Sequence, residues 1–276
     1  MSILRLAITQ PTASPDPHRN GETTRRLVRT AAARGARLVL FPEGHLSGYA
    51  KEQVPDFADT DWTAVREQTQ AVTELAAELG VWVLLGSAHP LTPPHRPHNS
   101  VYVISDTGQV LDRYDKRLCS ATETRHHYTP GTQATVFEVG GYRFGIAVCV
   151  EINFLQVFTE YADLGVDCLL LPTYPVDAIF RTKAQALAAI TTCWIAVCSP
   201  DQTRHLVPSQ VFGPDGTCLA AATGDEEVVY ADLDREDPRF HTALDLARPW
   251  RESARDGGFH REHLVQDPRS DDKTTL

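Results

Sequence analysis

Three side chains capable of chemistry stand at the ends of apolar runs. "RLVLFPEGHLSGY" places Glu43 behind Phe41-Pro42, "VLDRYDKRL" places Lys116 behind a strand-like run, and "GIAVCVEINF" ends in Cys149 with Glu151 two residues on. A carboxylate, an ammonium and a thiol together can carry acyl transfer without histidine. The carboxylate takes the thiol proton and later activates water. The ammonium and a backbone N–H after the cysteine stabilise the oxyanion, and the same ammonium favours the thiolate. Singly, each has a plainer reading: Glu43 as a helix-cap carboxylate, Lys116 as a solvated surface charge, and Cys149 as a small core residue. A cysteine at a strand-to-helix corner, however, faces the positive end of a helix dipole, which also favours a thiolate.

Elements that could position these groups alternate along the chain. Apolar runs predict strands over Leu4–Thr9, Arg37–Phe41, Val81–Gly86, Val101–Ser105, Phe144–Cys149, Asp167–Leu171 and Trp194–Cys198. Helix-length stretches fall between them at Arg19–Ala33, Trp62–Leu79, Phe154–Leu164 and Ala178–Thr192. Gly35, Gly80 and Gly165 sit just past helical stretches, where C-cap residues belong. Asp106-Thr107-Gly108 and Gly213-Pro214-Asp215-Gly216 are hairpin signals, so a mixed sheet is expected in an α/β domain. With no linker and no repeat visible, residues 1–265 read as one domain, and the polar stretch 266–276 reads as a disordered tail.

The bulk properties narrow the partners. A net charge of −10 over 276 residues argues against nucleic acid or an anionic membrane. No apolar run reaches about 18 residues, and "MSILRL" enters a strand without a signal-peptide layout, so a cytoplasmic location is expected. The six cysteines form no C-x-x-C pair, so disulfides are not expected. Four of the other five lie in apolar patterns as core residues, while Cys119 sits in a polar loop with its role open. His126-His127 and "PPHRPHNS" lack the close ligand spacing of zinc sites, and no metal or cofactor is expected.

The ordered motifs over about residues 3 to 235 resemble the nitrilase superfamily of carbon–nitrogen hydrolases. They are Phe41-Pro42-Glu43 with Gly48-Tyr49, Asn99-Ser100 with Tyr114-Asp115-Lys116-Arg117-Leu118, and Gly145 with Cys149-Val150-Glu151-Ile152-Asn153-Phe154. "GVDCLLLPT" and "FGPDGTCLAA" match stretches found downstream in that family. The resemblance implies a four-layer α-β-β-α sandwich that pairs into dimers. It implies Glu43 as general base, Lys116 as oxyanion stabiliser and Cys149 as nucleophile. It also places a second glutamate before a Pro-Gly turn, and Glu123 before Pro130-Gly131 is the candidate.

Departures from the family pattern point to a divergent subgroup: Val150 where an aromatic residue is usual, Thr191-Thr192 for Glu-Asn, and Leu155-Gln156 after Phe154. Tyr49, Val150, Tyr174, Phe180 and Arg181 lie near motif ends and could shape a substrate pocket, Arg181 by clamping a carboxylate. Glu151 reads as a carboxylate serving the N–H groups of the turn. "ARPWRESARDGGFH" reads as a C-terminal arm at a subunit contact. The expected function is hydrolysis of a non-peptide C–N bond in a small amide or N-carbamoyl compound by a homo-oligomer, at least a dimer. Alternatives are a nitrilase or acyl-transferring member of the superfamily, a silent binding subunit on this fold, and a papain-like Cys–His hydrolase.

Overall fold

In the computed structural model, which describes residues 3–255 and 257–274, the chain alternates strand and helix as the apolar runs require. The strands, in chain order, are β1 (Leu4–Thr9), β2 (Leu38–Leu40), β3 (Trp82–His89), β4 (His98–Ile104), β5 (Val110–Asp115) and β6 (Val136–Val139). They continue with β7 (Tyr142–Ile146), β8 (Cys168–Pro172), β9 (Trp194–Cys198), β10 (Gln210–Phe212), β11 (Cys218–Ala221) and β12 (Val228–Leu233). The main helices are α1 (Pro17–Ala33), α2 (Trp62–Leu79), α3 (Leu155–Asp163) and α4 (Ile179–Thr191). Asp16 and Asp61 cap α1 and α2 by accepting from His18 N and Ala64 N, and Gly80 closes α2 in the left-handed region.

The strands form two six-stranded sheets, ordered β12-β1-β2-β3-β4-β5 and β11-β10-β9-β8-β7-β6. Within the first, β1, β2 and β3 run parallel, flanked by antiparallel pairs with β12 and β4. Within the second, β7, β8 and β9 run parallel, flanked by antiparallel pairs with β6 and β10. The outermost pairs, β4 with β5 and β10 with β11, are the two antiparallel hairpins foreseen in the sequence. The two sheets therefore repeat one pattern of strand directions, an internal repeat with no counterpart visible in the sequence.

Period-two alternation assigns each strand's two faces. Leu4, Leu6, Ile8, Leu38, Leu40 and Leu84 join the core that includes Phe144, Leu170 and Val211 of the second sheet. Their neighbours Ala7, Val39, Val83 and Leu85 pack instead with Leu27, Val28, Val72 and Leu75 of α1 and α2. Helices α3 and α4 cover the far side of the second sheet, giving an α-β-β-α sandwich. Beyond β12, helix α5 (Arg248–Arg255) is pinned to its own chain: Arg248 to Asp167, Arg251 to the Ala189 and Ile190 carbonyls at 2.9 Å, and Arg255 to Asp163. Residues 266–274 are exposed and carry one helical turn, Pro268–Asp271; Asp256, in the arm read from the sequence, lies outside the described residues.

Among the described residues no helix is long and apolar enough to cross a membrane, and all six cysteines are free. Cys168, Cys193 and Cys198 are core residues, Cys218 is half-buried, and Cys119 packs at the edge of the small Ala50–Ala88–Tyr128 cluster.

Candidate active site

The loop after β2 delivers Glu43 to the end of the first sheet. That loop passes β3 so closely that a Cβ at residue 86 would collide with the Pro42 carbonyl, so Gly86 is required there. Lys116 follows β5, and its own backbone is held by Asn99 O and by Gly131 N–H. A Cβ at 131 would meet the Asp115 carbonyl, which ties the Pro130-Gly131 turn to the position of Lys116.

The Lys116 ammonium donates to Glu43 Oε1 and Glu123 Oε1, both at 2.8 Å, with all three side chains at or below 1% exposure. Asn99 Nδ2 and Tyr174 N–H also donate to Glu43, at 2.8 and 2.9 Å. Glu123 accepts from Ser120 N–H at 2.7 Å and from the Tyr49 hydroxyl at 3.4 Å. Burial pulls the Lys116 ammonium toward neutrality, but Glu43, Cys149 and Glu123 outweigh it and hold its pKa well above the ordinary value. Burial opposes the Glu123 carboxylate as well, and Lys116 overcomes that to lower its pKa. Lys116 is thus shared between the two carboxyl groups.

Cys149 departs from its expected setting. Strand β7 ends at Ile146, and the cysteine opens a 3₁₀ turn, Cys149–Asn153, with φ +50°. A left-handed non-glycine residue costs about 1–3 kcal/mol and is found where function holds it. Helix α3 begins only at Leu155, so the expected helix dipole does not stand behind the sulfur. The thiol is pushed up to about 12, first by burial and then by Glu43, against the smaller pull of Lys116 and Thr173. The resting group is a protonated thiol, 3.7 Å from the Tyr174 carbonyl. Moving its proton to Glu43 leaves the net charge of the site unchanged, which is how a thiolate can form in a low-dielectric cavity.

Glu151 is a structural carboxylate. It is fully buried and accepts from Tyr114 OH, Arg117 N–H, Leu118 N–H and Val148 N–H at 2.7–2.9 Å. It thus ties the Cys149–Asn153 turn to the loop carrying Lys116. Tyr49 and Tyr174 stack at 4.7 Å between ring centroids, joined by Gln53, which accepts from Tyr49 N–H and donates to Tyr174 OH.

The structure therefore brings Glu43, Lys116, Glu123, Cys149, Tyr49 and Tyr174 together. Val150 is half-buried in the Cys149–Asn153 turn, and Phe180 packs into the main core. Arg181 is exposed at the start of α4; its N–H donates to the Ala178 carbonyl, while its guanidinium has no hydrogen bond or ion pair to the described residues. Asn99 and Tyr114, which the sequence marks only as motif residues, make contacts with Glu43 and Glu151 that it does not assign, and it gives Thr173 no role. The available signal for Asn99 is a polar side chain at the start of a strand that turns apolar from Val101 onward. His126 and His127 lie on the segment carrying Glu123 but line a separate cavity of about 390 Å³ with Phe57, Trp62, Leu91 and Arg96. Glu43, Lys116 and Cys149 do not border it.

A family model described as carbon-nitrogen hydrolase matches residues 5–240. The curated omega-amidase NIT2 of Bos taurus is 28% identical over 253 residues, covering 85% of this chain and 90% of that protein. The Homo sapiens omega-amidase NIT2 is 26% identical over 253 residues, with the same coverage. Among solved structures, an amidase from Nesterenkonia sp. has a TM-score of 0.76 at 23% identity, over 90% of this chain and 96% of that one.

Proposed function

The chain belongs to the carbon-nitrogen hydrolase family, and from that premise we propose that it cleaves a small amide or N-carbamoyl compound through a thioester on Cys149. It is an amidohydrolase, and its relatives named omega-amidase support the amide half of this reading. The observation that carries the reading is one buried ammonium, Lys116, bonded to both Glu43 and Glu123 beside a buried thiol.

In the proposed cycle Glu43 takes the Cys149 proton and the sulfur electron pair forms the C–S bond. Lys116 and the Val150 N–H hold the oxyanion. The C–N bond then breaks, and the leaving nitrogen departs with the proton held by Glu43. Water, deprotonated by the same carboxylate, hydrolyses the thioester to carboxylate and free thiol. Glu123 keeps Lys116 in place.

The stacked Tyr49 and Tyr174 form one wall of the proposed pocket; Val150 and Phe180 are proposed to line it further, and the exposed guanidinium of Arg181 is assigned to a carboxylate at the far end of the substrate. A panel of short amides, N-carbamoyl amino acids and aliphatic nitriles, scored by ammonia release, is expected to show turnover of carboxylate-bearing amides. Arg181→Ala is expected to raise KM about tenfold with kcat unchanged, a loss of roughly 1.4 kcal/mol of uniform binding. Turnover of nitriles alone would move the assignment to a nitrilase.

The proposed unit is a homodimer, with residues 1–265 as its single domain and a cytoplasmic setting. Leu155, Val176, Ile179 and Ile190 are exposed on and beside α3 and α4, an apolar face of the kind that soluble chains cover. Light scattering at micromolar concentration is expected to give about twice the 30.5 kDa chain mass or more. A value equal to one chain would overturn the dimer.

A further inference from the structure

Thr173 follows β8 directly and is completely buried. Its hydroxyl is oriented so as to lower the Cys149 pKa, yet it meets regular hydrogen-bond geometry with no group among the described residues. The next residue, Tyr174, donates its N–H to Glu43 and offers its carbonyl to the thiol, so the segment 173–174 touches both partners of the proton transfer. Ser199, on the neighbouring strand end, is another buried hydroxyl without a partner. Buried polar groups are nearly always paired, and each exception calls for an explanation, of which a catalytic role is one.

We propose that Thr173 is a further catalytic residue, whose hydroxyl donates a hydrogen bond to the Cys149 sulfur once Glu43 has taken its proton. This rests on the thioester reading above. The resting thiol is a weak acceptor and leaves the hydroxyl idle; the thiolate is a strong one and engages it. The hydroxyl thereby supplies locally what a helix dipole would supply had α3 begun at the cysteine. It acts beside the other groups that face the sulfur: Glu43 on the loop after β2, Lys116 after β5, Glu123 on its short helical segment, and Tyr49.

The test is the rate of Cys149 alkylation by iodoacetamide against pH, with peptide mass spectrometry to place the label. Thr173→Val, which keeps the shape and removes the hydroxyl, is expected to slow labelling about tenfold at neutral pH. It should also move the profile about one unit to the alkaline side. Thr173→Ser is expected to stay within about threefold of the parent, since it keeps the donor. Thr173→Ala carries the same expectation as Val if the branched side chain unsettles the packing. Thermal stability of Thr173→Val should hold or rise, because the removed hydroxyl had no regular partner. Unchanged labelling of Cys149 in both Val and Ala variants overturns this inference while leaving the thioester reading intact. A parent label that maps to Cys119 or Cys218 instead overturns both.

Discussion

Cys149→Ala is expected to lose turnover by ~10⁴-fold or more while keeping its fold, because it removes the proposed nucleophile alone. Intact-mass spectrometry during turnover should show an acyl adduct on the parent chain and none on the variant. The other thiols give the experiment its contrast. Cys168, Cys193 and Cys198 are buried core residues. Cys119 bonds to the Lys116 carbonyl and is pushed up to about 12 by burial. Only Cys149 combines a left-handed backbone, a carboxylate able to take its proton and an ammonium able to hold the product of attack. An adduct that maps to Cys119 or Cys193 would sink the assignment.

Lys116→Ala should damage activity and stability together. Loss of the proposed oxyanion donor is expected to lower kcat about 10²–10³-fold. Loss of the cation also strands Glu43 and Glu123, both accepting from Lys116 at 2.8 Å, as unpaired buried carboxylates. Breaking such a buried ion pair costs about 3–5 kcal/mol, or roughly 6–20 °C in Tm for a chain of this order. The pH dependence fixes the sign. In the parent, Glu123 has a lowered pKa, so its contribution is present above the unfolded carboxylate pKa and is lost as pH falls through the folded one. Without Lys116, burial raises the folded pKa above the unfolded value. The variant should then regain stability on acidification, opposite to the parent. Calorimetry showing a parent-like Tm and the parent's pH trend would remove Lys116 from its central place.

Much of this was legible in the sequence because burial writes itself into apolar runs. The parallel strands of both sheets, the glycine that caps α2 and the three motif ends all come from patterns a few residues long. What escaped depends on neighbours distant in the chain. Asn99 reads as the start of a hairpin until the sheet sets it beside Glu43, 56 positions away. Tyr174 contributes through its backbone N–H and carbonyl, which no side-chain pattern announces. The helix dipole expected behind Cys149 failed because Cys149–Asn153 folds as a tight turn and α3 begins only at Leu155, one residue past the predicted start and six past the cysteine. The matching strand directions of the two sheets were invisible because backbone topology can repeat where side chains do not.

Strand β12 has a consequence for biosynthesis. It pairs with β1 along its whole length, from Leu4 opposite Leu233 to Thr9 opposite Val228, so β1 waits for a partner made more than two hundred residues later. While the chain emerges from the ribosome, β1 can find β2 early but presents an open hydrogen-bonding edge on its other side. Its apolar residues Leu4, Leu6 and Ile8 stay without their final cover until translation passes residue 233. That interval is when a nascent chain is most exposed to cross-pairing with its neighbours, and when a holdase chaperone has most to protect.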